Sequence, residues 1–118
     1  MRAIFPALIM GAGLAMPAAA QTITGHYAVE GTSPNGSTYT GTADITQTSD
    51  TDCRIAWHYD GSESNGICMV SGNVFAGAYP SGDNTGLLIY HLAADGTLSG
   101  MWTEGSWAVG TETLTPFR

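Results

Sequence analysis

The chain has 118 residues, and its ten carboxylates outweigh three basic side chains, all of them arginine, to give a net charge of −7. Such a surface repels phosphate backbones and anionic lipid headgroups, which excludes nucleic acids and membrane surfaces as expected partners. A length of this order supports one domain, and a single core of that size is marginal without a covalent staple.

The first predicted element is a targeting segment. Residues 1–20 open with Arg2, continue through an apolar stretch from Ala3 to Met16 and end in Pro17-Ala18-Ala19-Ala20. This is the three-part pattern of a secretory signal peptide, with Ala18 and Ala20 suited to the narrow pockets of a signal peptidase. The expected cut leaves Gln21 as the first mature residue, a single domain over 21–118, and Arg54 and Arg118 alone against ten carboxylates, a mature charge of −8. The apolar run is shorter than the roughly 20 residues of a membrane span and carries two glycines. No cysteine is available at the cut for a lipid anchor, so the expected product is free of the membrane and periplasmic or secreted.

Beyond Gln21 no helical period is visible. Short runs of alternating apolar and polar residues are divided by turn clusters such as Ser33-Pro34-Asn35-Gly36, Asp60-Gly61 and Ser81-Gly82-Asp83-Asn84. Eight strands are predicted, over 23–30, 38–47, 53–59, 66–70, 74–79, 86–93, 97–103 and 107–115. Every connection is short, so sequence neighbours should pair antiparallel in an up-and-down meander. Eight such strands fit a small closed barrel, with a β-sandwich as the alternative.

In the first strand Ile23, Gly25, Tyr27 and Val29 share a face; in the second, Tyr39, Gly41, Ala43 and Ile45; in the third, Cys53, Ile55, Trp57 and Tyr59. These faces form the expected core, leaving a hydrated exterior. Glycine and an aromatic recur two residues apart, as in Gly25/Tyr27, Tyr39/Gly41, Gly77/Tyr79 and Gly100/Trp102, the small-beside-large filling that suits a tight barrel. In an oxidising compartment the two cysteines, Cys53 and Cys68, predict one disulfide. If Asp60-Gly61 is a two-residue turn, Tyr59 faces Ser62 and Cys53 falls directly opposite Cys68; a slip of one residue would put the sulfurs on opposite faces.

No catalytic constellation and no cofactor motif emerges. The chain lacks a G-x-S-x-G elbow and an H-E-x-x-H helix, and Asp50 and Asp52 read as turn formers. His26 and His58 are expected on the outer face two strands apart, about 9–10 Å by strand spacing, too far for joint ligation of one zinc ion. His91 lies in the nearly continuous apolar run from Leu87 to Leu92, where alternation does not choose a face. The candidate ligand-binding set is Trp57, Tyr59, Tyr79, Tyr90, Trp102, Trp107 and Glu112, aromatics in predicted strands near turns plus one carboxylate. Two orientations stand open for Glu112. It shares a face with Leu114 inside the barrel, partnered by Arg54 or a tyrosine hydroxyl, or Trp107 and Val109 define the inner face and Glu112 meets water, with Gly110 as the place where a bulge would switch them.

The run Gly25-His26-Tyr27-Ala28-Val29-Glu30-Gly31, followed by Pro34-Asn35-Gly36-Ser37, Tyr39-Thr40-Gly41, Gly96-Thr97-Leu98-Ser99-Gly100-Met101-Trp102 and Gly110-Thr111-Glu112-Thr113-Leu114-Thr115-Pro116, resembles a group of small exported alphaproteobacterial β proteins, many uncharacterised or labelled fibronectin-binding. That resemblance covers most of the mature chain and implies export and protein binding, with extracellular matrix as the partner class. The expected architecture is also similar to that of periplasmic protease and lysozyme inhibitors, and an acidic inhibitor suits a basic target protein. The function expected is therefore that of an exported, non-enzymatic binding protein for a protein or small ligand, with hydrolase inhibition as the alternative.

Overall fold

A computed structural model describes residues 22–118; the expected signal peptide lies outside the described residues. Eight antiparallel strands close into a barrel: β1 (Gly25–Thr32), β2 (Thr38–Gln47), β3 (Asp52–Tyr59), β4 (Ser62–Ser71), β5 (Val74–Ser81), β6 (Asn84–Leu92), β7 (Leu98–Thr103) and β8 (Val109–Pro116). Each strand pairs with its sequence neighbour, and β1 also pairs with β8, from Tyr27 opposite Pro116 to Thr32 opposite Thr111. That last pairing removes both free edges and decides for the barrel over the sandwich. Among the described residues no helix is long and apolar enough to cross a membrane.

Turn chemistry fixes the register. Asp60 and Gly61 both have positive φ, 43° and 80°, the mirror-image turn that matches strand twist. Tyr59 consequently faces Ser62, and Cys53 faces Cys68 at a Cα separation of 5.0 Å, where the disulfide forms. Strand β4 begins at Ser62, four residues before the predicted start, because this turn has no slack. Apolar side chains are sparse on Ser62–Asn65, so alternation alone did not mark it as strand.

The interior is filled over one half only. Toward the end carrying loops 48–51, 72–73 and 93–97, Ile23, Val29, Ile45, Ile55, Phe75, Leu98 and Leu114 are buried beside the disulfide. The Phe75 and Tyr90 rings, directly paired on the adjacent strands β5 and β6, stack at 5.4 Å between centroids. At this base the Tyr27 hydroxyl donates to the Ile23 carbonyl at 2.6 Å.

Two expectations about faces need correction. The exterior is not uniformly hydrated: Ile67 and Met69 of β4, Leu87 and Ile89 of β6, Met101 of β7 and Val109 of β8 are half-exposed or more. Pairing brings Met69, Ala76, Ile89 and Met101 into one row across four strands. In the continuous apolar run of β6, strict alternation sends Leu88, Tyr90 and Leu92 inward and Leu87, Ile89 and His91 outward.

The second correction concerns Trp107. It lies in the β7–β8 loop, fully exposed, with φ 67°. A left-handed residue breaks the extended chain, so alternation cannot be counted through it. Strand β8 starts afresh at Val109, which faces out, and Gly110, Glu112 and Leu114 face in. The pairing of Trp102 with Gly110 and Thr103 with Val109 continues without a bulge.

Candidate functional site

The opposite half of the barrel is hollow. A cavity of about 440 Å³ opens at the end bearing loops 33–37, 60–61, 82–83 and 104–108, a volume within the range of small-molecule sites. Its walls are Tyr39, Trp57, Tyr59, Tyr79, Leu88 and Trp102, with Glu112 at the floor and Glu104, Ser33 and Ser81 nearer the rim. Tyr39 packs edge-on against Tyr59 at 5.5 Å, and Trp57 edge-on against Tyr79 at 5.4 Å.

Glycines on the neighbouring strands make this arrangement possible. Tyr39 sits opposite Gly31, which in turn sits opposite Glu112 on the other side. A Cβ at Gly31 would overlap the Tyr39 ring and hydroxyl; its absence lets the ring cross β1 and reach the carboxylate. On the other flank Tyr90 sits opposite Gly100 and Gly100 opposite Glu112, but there the space a Cβ would take is filled by the backbone of Ile89 and Tyr90. Tyr59 lies over Gly41, Tyr79 over Gly86 and Trp102 over Gly110 by the same device. The sequence rule of glycine two residues from an aromatic is thus a by-product of period two: the Tyr39, Tyr59, Tyr79 and Trp102 rings each cover a glycine on an adjacent strand.

Glu112 is 6% exposed and takes three phenolic donors. Tyr39 donates to Oε2 at 2.7 Å, Tyr59 to the same oxygen at 3.0 Å, and Tyr90 to Oε1. A carboxylate offers about four acceptor positions, so this buried group is well supplied and one position on Oε1 stays free of protein donors. Arg54, the other partner considered, is on the outer face. Burial first, and then the charge and hydrogen bonds of Glu112, push all three tyrosine hydroxyls well above the ordinary tyrosine range. Tyr79 is raised by burial and by Glu104, to which it donates at 3.1 Å. The indole N–H groups of Trp57 and Trp102 are buried without a hydrogen-bond partner among the described residues.

Of the seven candidate residues, five line this cavity: Trp57, Tyr59, Tyr79, Trp102 and Glu112. Tyr90 lies below it, buried, and acts by holding Glu112 from beneath. Trp107 stands outside on its loop. Sequence reasoning missed Tyr39 as a wall, although it had placed that ring on the inner face; the missing signal was the cross-strand pairing with Gly31. No histidine lines the cavity.

The histidines gather outside instead. Asp44 lies between His26 and His58, Oδ1 at 2.5 Å from His26 Nδ1 and Oδ2 at 3.3 Å from His58 Nε2. The hydrogen bond to His26, ahead of the weaker contact with His58, holds the Asp44 carboxyl below the usual carboxylate range. Each oxygen is engaged by its own ring, and among the described residues no three potential ligands are placed to hold a metal ion.

No protein-family model matches the sequence, and no curated protein matches it. Solved structures do share the fold. A redesigned beta barrel superposes with a TM-score of 0.66 at 18% identity, covering 81% of this chain and 92% of its own. A de novo designed fluorescence-activating beta barrel gives 0.60 at 17% identity, covering 80% and 93%. At these identities the likeness establishes architecture alone.

Proposed function

We propose that this protein is an exported, non-enzymatic binding barrel that takes a small organic molecule into its mouth. The observation that carries the reading is the contrast within one barrel: a base filled by apolar side chains and a mouth left as an aromatic-walled cavity of about 440 Å³ with a carboxylate at its floor. A chain that needed only a stable core would gain by filling that volume, since voids forfeit dispersion contacts. Export is supported by the signal-like segment at 1–20 and by the disulfide, which suits an oxidising compartment. The floor suits binding: three of the roughly four acceptor positions of Glu112 are taken by tyrosine hydroxyls, which fixes the carboxylate in place.

Titration with the neutral solvatochromic dye Nile red tests the reading. Saturable, one-to-one fluorescence enhancement is expected, and Ser64→Phe, which fills the mouth opposite Trp57, should abolish it while the circular dichroism spectrum persists. Linear, non-saturating uptake, or uptake unchanged in Ser64→Phe, would defeat it.

A second reading, recognition of a protein such as an extracellular-matrix component or a basic hydrolase, draws on one observation, the fully exposed Trp107 at the tip of a mouth loop. Exposed tryptophans are common anchors at protein interfaces. Inhibition of lysozyme or a serine protease that disappears in Trp107→Ala would favour it over a small ligand.

A further inference from the structure

We propose that the mouth cavity selects small organic cations, of the alkylammonium class, over neutral and anionic molecules of the same shape. This rests on the ligand-binding reading above and names the chemistry of its occupant. The cavity lining contains two carboxylates, Glu112 at the floor and Glu104 at the rim, and no arginine, lysine or histidine. The two arginines among the described residues lie elsewhere: Arg54 is exposed on the outer face of β3, and Arg118 donates to the Asp95 carbonyl at the base. The negative charge of the mouth therefore has no protein cation to balance it.

The walls supply the second part of the recognition. Tyr39, Tyr59, Tyr79, Trp57 and Trp102 surround the space on several sides. Aromatic faces carry negative electrostatic potential and attract ammonium groups, an attraction that strengthens once water is displaced. Rings and carboxylates therefore favour the same sign of charge. The vacant acceptor position on Glu112 Oε1 suits either an N–H of a protonated amine or the diffuse charge of a quaternary one, because Tyr39 and Tyr59 both use Oε2. An anion would meet two carboxylates and the overall charge of −7, with no positive group to receive it.

Calorimetric titration of the full folded protein with choline and with its neutral carbon isostere, 3,3-dimethylbutan-1-ol, tests the proposal, with benzyltrimethylammonium as a bulkier cation. The cations should bind at least about tenfold more tightly than the neutral isostere. Glu112→Gln should lower the ratio of choline affinity to isostere affinity by about the same factor. Should Glu112→Gln fail to fold, Glu104→Gln at the exposed rim carries the test, with a smaller fall in the same affinity ratio. Equal affinity for choline and its isostere, or cation binding indifferent to both carboxylate variants, overturns the cation preference. If Nile red still binds saturably in those cases, the ligand-binding reading stands without it; if neither dye nor cation binds, both fall.

Discussion

Gly31 and Gly100 flank Glu112 on its two neighbouring strands, and they do different work at the same carboxylate. A methyl at residue 31 would meet the far end of the Tyr39 side chain, which can swing aside at the cost of its bond to Glu112. A methyl at residue 100 would meet the carbonyl oxygen of Ile89, part of the β6 backbone, which cannot move without parting the sheet. Overpacking of this kind typically costs about 1–3 kcal/mol. Chemical denaturation should therefore rank Gly100→Ala as clearly more destabilising than Gly31→Ala; the reverse order would contradict the placement of these rings. At this scale the sequence was only partly legible. Glu112 stood out as a carboxylate in an apolar frame, yet its orientation depended on where β8 begins, and the left-handed Trp107 hid that start from any count of alternation.

The β3–β4 hairpin shows what a single element can reveal before its coordinates are known. Period two placed Cys53, Ile55, Trp57 and Tyr59 on one face, and the Asp60-Gly61 turn then left one register in which the sulfurs meet. Two independent constraints agreed, and the structure has that register. The crosslink closes a loop spanning 15 residues, for which chain entropy predicts on the order of 3 kcal/mol. The double variant Cys53→Ala/Cys68→Ala should lose roughly that much in urea unfolding while keeping its strand content. A loss near zero would mean that the reduced chain is already held by its neighbours. Outer faces were harder to read than inner ones. The apolar row from Met69 to Met101 belongs to four strands at once, and no single strand, taken alone, announces it.

For the molecule as a whole, the number of strands and their meander were written in short connections and regular turn spacing, which left barrel and sandwich both open until the β1–β8 pairing closed the ring; the division into a filled base and a hollow mouth was not legible, because volume depends on which rings cross which glycines. That division has a pH signature. All five tyrosines are raised above the ordinary value near 10, Tyr27 by burial at the base and the other four chiefly by burial around the mouth. An unfolded chain releases these protons near pH 10 while the folded one keeps them, so the associated stability is intact below about pH 10 and declines as pH rises above it. Tyrosinate absorbance and loss of circular dichroism should thus appear together in an alkaline titration. Smooth ionisation near pH 10 with the spectrum of the strands intact would refute the burial assigned here. The seam between β1 and β8 carries a further implication for how the molecule is made. The strand that shuts the ring is also the one bearing the carboxylate for Tyr39, Tyr59 and Tyr90, and it is the last of the eight in chain order. Without it the sheet is open and the three phenols lose their shared acceptor, so removing β8 should cost both closure and the mouth, and a chain ending at residue 108 is expected to lose saturable Nile red binding.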